Sequence, residues 1–141
     1  MPLGPVTLTA TKPKPYNEHP ITLGEHLRKR RIELGLLQKD VASRLGTNEW
    51  TYRYWERFGK VPRIRFMPGI IAFLGYYPYP EPTTLGKELL KQRRLLGYSQ
   101  EQIAKLLSVN EATYRHWENG LCQPSAANLQ LIELFFGSRR S

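Results

Sequence analysis

Two stretches carry almost the same polar and aromatic side chains in the same order: NEWTYRYWERF from Asn48 and NEATYRHWENG from Asn110. Asn, Glu, Thr, Tyr, Arg, Trp and Glu recur at fixed intervals, 62 positions apart. A repeat kept only for packing would retain its apolar positions alone, whereas this one also retains amides and carboxylates. Asn donates and accepts at base edges, and Glu accepts from the cytosine N4 amino group. Residue types suited to other chemistry do not gather anywhere. His19, His26 and His116 stand apart from any carboxylate or cysteine cluster. The single cysteine, Cys122, has no disulfide partner in the chain and fits no metal-ligand spacing. No nucleophile motif, paired acids or glycine-rich phosphate loop is present. The expectation is a protein with no catalytic residues, no metal and no cofactor.

The charge points the same way. Formal net charge is +9 over 141 residues, with 40 % hydrophobic and 23 % charged side chains. That balance belongs to a globular chain, and its basic excess points first to nucleic acid. The longest apolar run, Ile70 to Leu74, is far short of the ~20 residues needed to span a bilayer. Neither a membrane partner nor a secretory leader is expected. With one cysteine, a cytoplasmic, nucleoid-associated location is expected.

The repeated word sits inside a longer duplication. Thr22 to Gly75 aligns without a gap on Thr84 to Gly137. Leu27/Leu89, Arg31/Arg93, Gly35/Gly97, Gln38/Gln100, Trp55/Trp117, Glu56/Glu118 and Ile70/Ile132 are among the identical pairs. Two copies are too few for a solenoid, so we expect two small all-α domains, at 22–75 and 84–137, of four to five short helices each. Residues 1–21, rich in Pro and Thr, read as a flexible arm. Residues 76–83, YYPYPEPT, read as a proline-rich, semi-rigid linker reaching on the order of 25 Å. Residues 138–141 form a short basic tail.

Local signals place the helices. Thr22 and Glu25 spell a capping box that opens the first helix; Thr84 keeps the cap, but Lys87 loses the reciprocal half. Gly35 and Gly97 suit left-handed helix ends. Ser99 caps the next helix well, and Leu37 caps its counterpart poorly. Asn48 and Asn110 suit N-caps of the third helices. The expected cores are Leu27, Val41, Ala42, Leu45, Tyr52, Trp55, Ile70 and Phe73, and, in the second copy, Leu89, Ile103, Ala104, Leu107, Tyr114, Trp117, Ile132 and Phe135.

Two short helices, a tight turn and a polar third helix describe helix-turn-helix geometry. With Q-x-x-[VI]-A-x-x-L, then N-E-x-T, then W-E, both copies resemble the DNA-binding domain of the phage-repressor and Cro-like family, the Xre type. The resemblance implies two lambda-repressor-like domains, with each third helix entering a major groove. By position it assigns base contacts to Asn48, Glu49, Trp50 and Tyr54, and to Asn110, Glu111, Ala112 and His116. Capping and base contact both remain open for Asn48 and Asn110. Trp50 could meet thymine methyls or cover its own protein. The resemblance gives Gln38 and Gln100 to phosphate. Phosphate contact is also expected from Arg53, Arg57, Lys60, Arg63 and Arg65 around the first reading helix, and from Arg115 on the second. It implies internal Arg–Glu pairs for Arg31 with Glu56 and Arg93 with Glu118.

The implied function is a transcriptional regulator, in the first instance a repressor, that binds double-stranded DNA. One chain would read two half-sites about 34 Å apart, and they would differ because the two reading faces differ. Residues 22–75 carry net +6 and residues 76–141 net +2, so the first copy is expected to supply most of the electrostatic affinity. The alternative is an antitoxin-like or recombination accessory protein whose second repeat, ending in LIELFF, dimerises or holds a protein partner.

Overall fold

The computed structural model describes residues 13–137, so residues 1–12 of the expected arm, Lys12 among them, and the tail 138–141 lie outside it. Every regular element among the described residues is helical. In chain order these are α1 (Leu23–Glu33), α2 (Gln38–Leu45), α3 (Glu49–Arg57), a 3₁₀ turn (Ile64–Phe66), α4 (Met67–Leu74), α5 (Leu85–Leu96), α6 (Gln100–Leu107), α7 (Glu111–Glu118) and α8 (Ala126–Gly137). The chain divides between Val61 and Pro62 into two compact units. The boundary expected after Gly75 does not coincide with this division, because the 3₁₀ turn and α4 pack on α5.

In unit 1, α1 and α2 both pack on α3. Leu27, Val41, Ala42, Tyr52 and Trp55 are buried, while Leu45 is only half-buried. The Thr22 hydroxyl accepts from the Glu25 N–H at 3.2 Å, and Glu25 accepts from the Thr22 N–H at 3.0 Å, closing the capping box. Glu25 also accepts from Asn17 Nδ2 at 2.7 Å, and the Pro15 carbonyl accepts from Arg28 Nε at 3.0 Å. The last part of the expected arm is therefore tied to α1. Hydrogen bonds from Asn17, then the Thr22 and Ile21 backbone, hold the Glu25 carboxyl down at about 2. At α2, where Leu37 offers no side-chain cap, Asp40 accepts the Leu37 N–H at 2.9 Å. Local hydrogen bonding thus repairs half of what the leucine lacks.

In unit 2, α5 and α6 pack on α7, and α8 closes against α6. The core gathers Leu89, Ile103, Ala104, Leu107, Tyr114, Trp117, Ile132 and Phe136. Phe136, not the expected Phe135, is fully enclosed; in α4 the same correction replaces Phe73 by Leu74. Ile132 and Phe136, like Ile70 and Leu74, are four residues apart and share one helix face more closely than residues three apart would here. Ser99 and Gln102 form a full capping box, with bonds of 3.1 and 2.8 Å. The stretch expected to be a spacer lies along α5 instead. Arg94 donates to the Tyr77 hydroxyl at 3.0 Å and stacks 3.7 Å above the Tyr79 ring centroid, and Lys91 pairs with Glu81 at 3.4 Å.

Gly24 and Gly86 hold equivalent positions in the two copies. A Cβ on Gly24 would come within 2.5 Å of the Trp55 carbonyl oxygen, and one on Gly86 would collide with the Glu118 carbonyl. The first helix of each unit therefore approaches the end of the third closely enough to exclude any side chain. Gly86→Ala is expected to destabilise unit 2 by about 1–3 kcal/mol, since backbone must shift to admit the methyl. Urea unfolding followed through the buried Trp117 reads this loss.

Candidate nucleic-acid interface

Each third helix begins at a turn whose first residue is left-handed: Gly46 at φ 76° before α3, and Ser108 at φ 58° before α7. Asn48 and Asn110 then cap. Asn48 Oδ1 accepts from the Thr51 N–H at 2.8 Å, and Asn110 Oδ1 from the Ala112 N–H at 2.8 Å. Both asparagines are exposed.

On α3, Glu49 pairs with Arg53 at 3.1 Å, and Arg53 Nε donates to Gln38 Oε1 at 3.3 Å. The same guanidinium lies 5.4 Å from the Trp50 ring centroid. Trp50 is 62 % exposed and Tyr54 42 %, so Trp50 is not a cover for its own protein. Phe58, which the sequence reasoning missed, is 67 % exposed and continues the row. Ring centroids are 5.5 Å apart for Trp50–Tyr54 and 5.3 Å for Tyr54–Phe58. The signal that could have revealed Phe58 is its spacing, four residues beyond Tyr54. On α7 the corresponding face is smaller and more polar. Asn110, Glu111 and Arg115 are exposed, and Ala112 and His116 are half-buried. The Glu111–Arg115 separation is 3.9 Å, looser than its counterpart.

At the far end of each third helix lies an Arg–carboxylate fork. Arg31 meets Glu56 at 2.9 Å through Nε and 2.7 Å through Nη2; Arg93 meets Glu118 at 2.9 and 2.8 Å. Such bidentate contacts are both strong and directional. The remaining Arg31 nitrogen donates to the Leu36 carbonyl, and that of Arg93 to the Tyr98 carbonyl. Each arginine thereby joins the end of the third helix to the turn before the second. Gln38 and Gln100 donate inward to Glu56 and Glu118, at 3.3 and 3.1 Å. Burial opposes ionisation of Glu56 most strongly, but the hydrogen bonds from Arg31, Tyr52 and Gln38 and the Arg31 charge together outweigh it and hold the carboxyl below its ordinary value. Tyr52 is pushed up, first by burial and then by its Glu56 neighbour.

The cations fall into two groups, one in each unit. In unit 1, Arg28, Lys39 and Arg57 join Gln38 around an open cleft of about 320 Å³. Arg28 and Lys39 were not among the expected phosphate contacts, and nothing in their spacing singled them out. Lys60 is exposed beyond α3. Arg63 and Arg65, expected to serve the first copy, lie in unit 2. There they line an open cleft of about 500 Å³ with Ser99, Gln102 and Lys105, at the start of α6; Glu101 stands on the same rim. Counted by unit, residues 1–61 carry eleven basic and six acidic side chains, and residues 62–141 carry ten and six. The nets are +5 and +4, against +6 and +2 when the chain is divided after Gly75.

Residues 89–140 match the helix-turn-helix family model. The matched stretch runs from Leu89 on α5 through α8 and so contains the α6–turn–α7 pair just described. This part of the chain is thereby similar to the DNA-binding domain of Xre-type regulators. No curated protein and no solved structure matches the chain. Among the described residues no helix is long and apolar enough to cross a membrane, and no cluster of metal-ligating side chains occurs.

Proposed function

We propose that the protein is a DNA-binding transcriptional regulator, not an enzyme, in which α7 reads base edges in the major groove while α6 crosses the backbone. The observation that carries this reading is the exposed polar front of α7, Asn110 and Glu111, presented by a helix-turn-helix within the matched stretch. The groove's width admits such a helix. Arg63, Arg65 and Lys105 beside the start of α6 supply phosphate contacts, which set register without carrying sequence information. α3 makes a second DNA contact from the same chain, so the tethered second encounter gains affinity without a dimer. Its action is steric, by occupying an operator.

Because Ala112 and His116 stand where α3 has Trp50 and Tyr54, the bound site should be asymmetric. Selection from a random duplex pool is expected to yield one element without a two-fold repeat. Glu111→Ala should flatten the preference at about one base pair, typically a change of 1–3 kcal/mol. Palindromes bound by two chains would overturn the two-contact arrangement, and an unchanged preference would overturn the role of Glu111.

A second reading draws on α8, where Leu129, Leu131 and Leu134 are exposed. Leu131 and Leu134 share one side of the helix, and such exposed leucines suit a protein contact, as in antitoxin-like or recombination accessory proteins. A salt-resistant dimer in light scattering, abolished by Leu134→Lys, would favour it.

A further inference from the structure

The two third helices differ in kind at one set of positions. Where α3 and its cap carry Trp50, Tyr54 and Phe58, the second copy has Ala112, His116 and Gly120. The three rings are exposed and form a continuous row on one face of unit 1. Residues four apart on a helix are about 6 Å apart along its axis, and the ring centroids here are 5.5 and 5.3 Å apart. Bases stacked in a duplex are about 3.4 Å apart along each strand and hide their faces, offering only edges. Three exposed rings at this wider spacing match the faces of bases that have left the stack.

The surroundings of the row match the rest of a single strand. Arg53 and Arg57 alternate with the rings along α3, and Lys60 follows. The two acids of the helix are engaged, Glu49 by Arg53 and Glu56 inside by Arg31. Beside the indole lies an open concavity of about 440 Å³ lined by Asn48, Glu49, Trp50 and Arg53. It offers the face of the indole and the Asn48 side chain beside the Glu49–Arg53 pair. Aromatic rings interleaved with cations are the recurring means of holding unpaired nucleic acid.

We propose that the Trp50–Tyr54–Phe58 row is a binding site for unpaired nucleobases, by which unit 1 holds single-stranded nucleic acid. The site lies on α3, to which the second duplex contact is assigned above, and does not depend on the duplex reading assigned to α7.

The test is fluorescence anisotropy of the full chain with labelled oligodeoxythymidylate of about 12 nucleotides, and separately with a duplex of equal length. The double variant Trp50→Ala, Phe58→Ala removes only exposed rings, so the fold should survive; circular dichroism checks this. The expected result is single-strand binding that weakens about tenfold or more for each ring removed, a clearly larger loss than the one the same variant shows on duplex, where α3 makes only one of the two contacts. Trp50→Phe should retain most of the single-strand affinity. The proposal is overturned by single-strand binding that the double variant leaves unchanged, or by equal losses on both ligands. It is also overturned by a self-associated wild-type chain that the double variant turns monomeric, since the row would then serve a second copy. Loss of duplex preference in Glu111→Ala reports on α7 alone, so failure of one reading is distinguishable from failure of the other.

Discussion

Replacing Glu56 by alanine is expected to cost unit 1 about 3–5 kcal/mol, the loss seen when one member of a buried ion pair is removed. The Glu56 side chain is fully enclosed and accepts from Arg31 twice, from Arg28 at 3.2 Å and from Gln38 at 3.3 Å. Without it, Arg31 keeps its charge at 12 % side-chain exposure with no carboxylate to pair it, and retains the Leu36 carbonyl as an acceptor. A small domain has about 5–15 kcal/mol in all, so the variant should unfold near ambient conditions. Urea unfolding followed through Trp55 fluorescence measures the loss. Removing both charges, as in Arg31→Met with Glu56→Leu, should recover much of it, because no lone buried charge remains. Full loss in the double variant would show that shape at this site, not charge pairing, matters. The pH dependence has a definite sign. The Glu56 carboxyl titrates below its ordinary value in the folded unit, so its contribution is complete above the usual carboxylate range. It is lost as pH falls through the depressed folded value. Melting temperature against pH should show a shallower acid limb in Glu56→Gln than in the wild type, the part that remains coming from Glu25, whose carboxyl is also held down.

Removing Arg63, Arg65 and Lys105 together should weaken duplex binding roughly tenfold for each phosphate left without its cation at about 0.1 M salt. The slope of log affinity against log salt should become shallower by about 0.9 per phosphate no longer neutralised, close to 3 if all three side chains reach phosphate. The weakening should be nearly equal on specific and unrelated duplexes, since phosphate contacts position the protein without reading sequence. None of the three forms an ion pair among the described residues, and all three are exposed, so the fold should tolerate the change. An unchanged slope would remove this cleft from the interface. An equal weakening from Arg28→Ala, Lys39→Ala and Arg57→Ala would show that both units grip the backbone, as their similar net charges of +5 and +4 suggest.

Much of what could be read in advance was short-range. The Thr22–Glu25 box, the asparagine caps, Ser99 and the left-handed Gly35 and Gly97 each depend on groups within a few residues of one another. The inward forks of Arg31 and Arg93 could be anticipated only through resemblance, because no local rule joins residues 25 positions apart. The first-turn candidates Asn110 and Glu111 do lie exposed together at the front of α7. The aromatic row of α3 was legible at Trp50 and Tyr54 and missed at Phe58, which lies just past the helix and looked like its end.

From the chain alone came the helical class, the helix starts and the residues at the front of each third helix, because backbone geometry and nearest-turn hydrogen bonds suffice to set them. Only packing at a distance decided the rest. α4 and the 3₁₀ turn join α5, which carries Arg63 and Arg65 to α6. Tyr77 and Tyr79 are held by Lys91 and Arg94. Phe136 fills the core in place of Phe135, and Gly24 and Gly86 let two helices touch. Each outcome depends on which distant surface offers the better fit, and that information is spread over side chains far apart in sequence.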